Sequence, residues 1–144
     1  MIPVAPSTPH TDAVVAAIAA IPLLVDVAAK PAESGWQGTP GASPFKRYAV
    51  VYPFPGVPDG NAAEPYEYLT YKAQISLFGA TAAQAGGAAD DVSAALIGQR
   101  LSVPGRSTYP VKTPPGQRPL RRDDSLPVSV YQAIVEIEFT SQRD

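Results

Sequence analysis

YEYLTYKAQISLF, residues 66–78, is the stretch whose reading decides the fold. Leu69, Tyr71, Ala73, Ile75 and Leu77 alternate with Thr70, Lys72, Gln74 and Ser76. Successive side chains of a β-strand point to opposite faces, so this pattern predicts a strand with one buried and one wet face. VSVYQAIVEIEFT, residues 128–140, repeats it: Tyr131, Ala133, Val135, Ile137 and Phe139 alternate with Gln132, Glu136, Glu138 and Thr140, and only Ile134 breaks the polar side. If residues 66–78 are continuous they extend about 43 Å at ~3.3 Å per residue. A compact body of this chain length is roughly 37 Å across. Such strands either curl around the core or reach past it. The second alternative, a docking ribbon whose edges seek a partner, is the one this reading favours.

Outward from the first strand, Gly79 ends the alternation, and Thr81 with Gln84 forms a capping-box pattern for a helix. Ala85, Ala89, Val92 and Leu96 supply its apolar stripe and Gly98 its stop. Gly86 and Gly87 leave two alternatives: the helix begins near Ala88, or the glycines permit close packing. On the other side, Asp59-Gly60 reads as a turn, and Tyr48 to Phe54 as a strand apolar on both faces. Leu23 to Ala29 alternates as a further strand, with Asp26 and Lys30 on its polar side. A first helix runs from Thr8, a capping hydroxyl followed by Pro9, to about Ala20, with Val14, Ile18 and Ile21 as its stripe and Pro22 as its end. Residues 1–7 read as a loose tail, 31–46 as a long loop carrying the only Trp, and 99–127 as irregular with one short strand near Tyr109 to Lys112. The expected fold is one α+β domain over residues 1–144. It is built on a mainly antiparallel twisted sheet of about four to five strands, with two helices packed on one face.

Composition excludes several kinds of chemistry. The 144 residues include no Cys, which removes a thiol nucleophile and a thiolate metal site. A net charge of −2 gives no basic face with which to grip nucleic acid. Residues 13–29 resemble a leader only superficially, because Pro22 and Asp26 interrupt them and no basic segment precedes them, so no membrane is expected. Charged residues make up 17% of the chain, against roughly 25% in an average soluble domain. Either part of the surface is covered in the working state, or the composition is biased toward Ala, Pro and Gly.

No set of residues in the sequence has the spacing of a reactive site. His10 is the sole histidine and lies beside the loose terminus, without fixed surroundings or a second ligand. Asp90-Asp91 fits the early turns of a helix starting near Ala88, and Gly105-Arg106-Ser107-Thr108 lacks the spacing of a phosphate loop. Catalytic, cofactor and metal residues are therefore expected to be absent. The candidate protein-interface residues are Trp36, Phe45 and Phe54, aromatics in or beside Pro/Gly-rich loops, with Phe54 expected to fold back over its own core. Arg118, Arg121 and Arg122 with Asp123 and Asp124 form the one charge cluster, a pattern suited to contacts between subunits or to a solvated loop.

With these elements placed, the chain resembles the tail terminator proteins of long-tailed bacteriophages. The likeness lies in the early helix ending at Ile21-Pro22, the strand Leu23 to Ala29, the long strand Tyr66 to Phe78, the helix carrying Ala89-Asp90-Asp91-Val92, and the closing strand from Val128 through Phe139. It is a likeness of element order, covering most of the chain. It implies a structural virion protein made in the host cytoplasm and placed at the head-proximal end of the tail. The resemblance further implies a homo-oligomer, a hexameric ring that caps the tail tube and ends its polymerisation. The ring would meet the major tail tube protein and a head-completion or connector protein, with DNA passing unread through the lumen. A different head–tail joining protein, such as a stopper or tail-completion factor, is the near alternative. A small α+β enzyme or ligand-binding domain using carboxylates such as Asp26 or Glu67 is the distant one.

Overall fold

A computed structural model describes residues 5–60, 63–64, 66–115, 118–125 and 127–144. Along them run α1 (Thr8–Ala19), β1 (Leu24–Val27), β2 (Gly35–Trp36), β3 (Phe45–Lys46), β4 (Tyr48–Pro53), β5 (Val57–Asp59), β6 (Tyr68–Gly79), α2 (Ala82–Leu96), β7 (Arg106–Thr108), β8 (Arg121–Asp123) and β9 (Val130–Arg143). The long strands β6 and β9 pair antiparallel along the whole of β6, from Tyr68 opposite Gln142 to Gly79 opposite Tyr131. This ribbon is the centre of a seven-stranded sheet in the order β1-β4-β6-β9-β7, with β5 also on β6 and β8 also on β9.

The ribbon does not project. On one side β4 pairs with Ala73 to Phe78 and β5 with Tyr68 to Thr70; on the other, β8, Lys112 and β7 pair with β9 in turn. Short flanking strands thus use the edge hydrogen bonds along most of its length, and the helices cover one face. The surplus length expected to find a partner is absorbed by the chain's own segments. The sheet is also larger than four to five strands, and mixed, since β1 runs parallel to β4 from Leu24 opposite Tyr48. The additional strands β5, β7 and β8 are three residues each, in proline-punctuated sequence where alternation is too short to read.

Both helices lie on the face carrying Tyr71, Ala73, Ile75, Leu77, Ala133, Val135, Ile137 and Phe139, and form one buried cluster with it through Val14, Ile18, Ala85, Ala88, Val92 and Leu96. Each Val, Leu or Ile buried there stabilises by about 1.5–3 kcal/mol. α1 is capped by Ser7, one residue before the expected Thr8, and the Ser7 hydroxyl accepts from the Gly56 amide rather than from the helix. Residues 5–7 are consequently anchored; residues 1–4 of the expected tail lie outside the described residues. α2 has its capping box: the Gln84 amide donates to Thr81 Oγ1 at 3.1 Å, and Gln84 Oε1 accepts from the Ala80 amide at 2.7 Å. The helix runs straight through Gly86 and Gly87. An added Cβ would meet only Leu120 at 3.7 Å and Arg47 at 3.8 Å, ordinary contact distances. Packing therefore does not demand these glycines, and their cost of about 1 kcal/mol each relative to Ala is uncompensated.

The segment 31–46 is not a structureless loop. β2 and β3 pair antiparallel within it, Trp36 opposite Phe45, as a separate two-stranded sheet. In 99–127 the strands are β7 and β8 rather than one near Tyr109 to Lys112, where Val111 and Lys112 make isolated bridges to Ile97 and Glu138. Residues 116, 117 and 126 of that segment lie outside the described residues.

Candidate assembly surface

The polar side of the alternation faces away from the helices. Register fixes its rows, because directly opposed residues point the same way. From one end, Tyr68 lies beside Gln142; then Val57, Thr70 and Thr140; then Lys72 and Glu138 with Lys112; then Tyr52, Gln74 and Glu136; then Val50, Ser76 and Ile134; and last Tyr48, Phe78 and Gln132 with Arg121.

The last rows are covered by the chain itself. Trp36 meets Phe45 edge-on with centroids 5.1 Å apart, Phe45 lies 6.1 Å from Tyr48, and Tyr48 stacks on Phe78 at 4.9 Å. Beside this stack Trp36 and Pro40 meet Pro127 and Val128 around an apolar hollow of about 200 Å³. Trp36 and Phe45 are thus half-buried against their own sheet.

The remaining rows form an open trough. One cleft of about 380 Å³ is lined by Phe54, Lys72, Pro114 and Glu136; a second, of about 510 Å³, by Asp59, Tyr68, Tyr109 and Lys112 among others. Exposed apolar side chains rim it: Tyr52, Phe54 and Val57 along one edge, Tyr109 along the other. Phe54 is 51% exposed, contrary to the expectation that it folds back over the core. Its amide donates to the Lys72 carbonyl at 3.0 Å, so Phe54 continues the pleat in which Tyr48, Val50 and Tyr52 point away from the helices.

Across the floor runs a ladder of ion pairs. Glu138 has Lys72 at 3.7 Å and Lys112 at 3.6 Å, and Glu136 has Arg118 at 3.7 Å. The carboxylate side chains are recessed, 17% and 27% exposed, while the cations stand at 51%, 71% and 58%. At these separations the pairs are charge contacts rather than hydrogen bonds, so ammonium and guanidinium donors remain unfilled. Pairs this exposed contribute about 0–1 kcal/mol each to stability.

The arginine cluster divides. Arg118 joins the trough, Arg121 stands exposed beside Gln132, and Arg122 pairs with Asp124 at 2.8 Å. Asp123 is held below the usual carboxylate range by the Ser125 hydroxyl and amide, and Asp124 by the Ser129 hydroxyl. These contacts close the turn between β8 and β9. Asp91 is neutralised by Arg47 at 2.7 Å.

His10 is neither loose nor exposed. Its ring is buried, stacked 5.8 Å from Tyr71 and tilted 5.8 Å from Phe139. Nδ1 lies 3.0 Å from the Pro6 carbonyl, which only accepts, so Nδ1 carries the proton. Arg106 Nε donates to Ser141 Oγ at 2.7 Å, and the Ser141 hydroxyl in turn donates to His10 Nε2 at 2.7 Å. Burial pushes the His10 pKa down; the Pro6 carbonyl opposes this and the Arg106 charge adds to it. Thr11 completes the attachment of α1, its hydroxyl 2.8 Å from Tyr71 OH. The arrangement fastens α1 to β6 and β9. Sequence could not bring His10 and Ser141 together, since 131 positions separate them.

Among the described residues, every buried side-chain nitrogen and oxygen has a partner, and no group of three or more His, Asp or Glu is placed to hold a metal. None of the described helices is long and apolar enough to cross a membrane. No protein-family model matches the chain, and no curated protein does. Among solved structures, the fold is similar to a chain in the virion of a native gene transfer agent particle. The two share 15% identity at a TM-score of 0.58, over 87% of this chain and 84% of that one.

Proposed function

We propose that the chain is a non-enzymatic structural protein of a phage-like virion, acting as a ring of identical subunits that caps the tail tube, ends its growth and offers the joining surface to the head. The fold shared with a virion chain over most of both lengths is the observation that carries this reading. The open trough supports it, because exposed aromatics beside a half-filled polar floor suit a partner better than solvent. A ring needs two different faces on each subunit, and the molecule has them: a helix layer on one side and the trough on the other. Tails assembled without this protein are expected to run to uncontrolled lengths under the electron microscope and fail to join heads. Headless tails of normal length would point to a different joining role. Normal, infectious particles would remove the protein from assembly altogether.

A further inference from the structure

The trough's occupant can be read from charge. Its exposed cations Lys72, Lys112 and Arg118 stand above recessed carboxylates with donors unfilled, and Asp59 at one lip is the exposed acid there. The helix layer lies on the opposite side of the molecule. The outward charges of the helices are Asp12, Asp90 and Asp91, and Arg47 neutralises only the last. Asp12 and Asp90 have neither an ion pair nor a hydrogen bond among the described residues. Their outward neighbours Ala16, Ala83 and Ala94 are short, so the carboxylates are the features that protrude. The trough's cations are matched in number by Glu136, Glu138 and Asp59, but they are the exposed members of their pairs and keep free donors. They can therefore meet the unpaired carboxylates of the helix layer of another copy, head to tail.

We propose that the trough receives the helix layer of a second copy of this chain, with Asp12 and Asp90 facing Lys72, Lys112 and Arg118. This rests on the ring reading and names its interface. The contact is heterologous, so it closes into a ring or continues as a filament according to the rotation between neighbours.

Two variants test it: Lys72→Glu with Lys112→Glu, which makes the trough acidic, and Asp12→Lys with Asp90→Lys, which makes the helix layer basic. Light scattering and sedimentation on the purified full chain should show association that weakens as salt is raised well above physiological strength. Each variant alone should associate at least about tenfold more weakly, because like faces now meet. An equimolar mixture should recover association, since each variant then supplies the complement the other lacks; recovery also shows that both fold. Wild-type-like association by each variant alone would overturn this interface and leave the ring intact. Loss in both without recovery in the mixture, with unchanged thermal melts, would overturn the pairing of these two faces. A wild type that stays monomeric at every concentration and salt would overturn the ring reading and this interface with it.

Discussion

His10→Ala is expected to lower unfolding free energy by about 3 kcal/mol, measured by chemical denaturation at neutral pH. The estimate combines the cavity left by a fully buried ring with the unsatisfied Pro6 carbonyl and Ser141 hydroxyl. Against the 5–15 kcal/mol typical of a folded domain, that is a severe loss. A pH signature accompanies it. The folded-state pKa is lowered from 6.5, so above about pH 6.5 the imidazole is neutral whether folded or unfolded, and stability is flat. Below that value the unfolded chain takes up the proton first, and stability falls until the pH passes the folded-state pKa. Protonation would also place a second cation against Ser141 Oγ, which already accepts from Arg106. The His10→Ala variant should lack this component, losing at most about 1.4 kcal/mol less per pH unit than wild type. Parallel stability curves for the two proteins between pH 5 and 8 would contradict the assignment.

Phe54→Ala and Trp36→Ala should separate the two kinds of aromatic. Phe54 is 51% exposed on the trough's rim, so truncation should change stability by less than about 0.5 kcal/mol. In assembly the same ring is a candidate anchor, and its loss should cost about 2 kcal/mol of association, some thirtyfold. Trp36 behaves in the opposite sense. It is half-buried against Phe45 and walls the hollow with Pro40, Pro127 and Val128. Its truncation should lower stability by about 1–2 kcal/mol, part of the cost of a fully buried Trp, and loosen the fold of 31–46 over the sheet. Thermal melts with an association measurement distinguish the outcomes. A Phe54→Ala protein that melts early and assembles normally would assign that ring to the fold.

Elements governed by local periodicity were legible in the sequence: the alternation through Ile75 and Val135, the stripe of Val14 and Ile18, and the reciprocal cap of Thr81 and Gln84. Elements created by long-range pairing were not. β5, β7 and β8 are each three residues long and exist because β6 and β9 offer edges to pair with. The wet face containing Lys72, Glu136 and Glu138 could be read, but not the register that sets Lys72 opposite Glu138. The long ribbon does not reach past the body because proline-rich connections supply its neighbours. The loop aromatics reverse their reading: Phe54, read as folding back over the core, continues the outward series of Tyr48, Val50 and Tyr52, whereas Trp36 is turned toward the sheet by its pairing opposite Phe45.

In the proposed assembly the trough is covered. The chain has no cysteine, so Gln74→Cys places one thiol on the trough floor, in the row with Tyr52 and Glu136. In the free protein that thiol should label rapidly with a maleimide. In assembled particles it should be protected by at least about a hundredfold, as expected of a desolvated interface core. Equal labelling rates free and assembled would contradict the account.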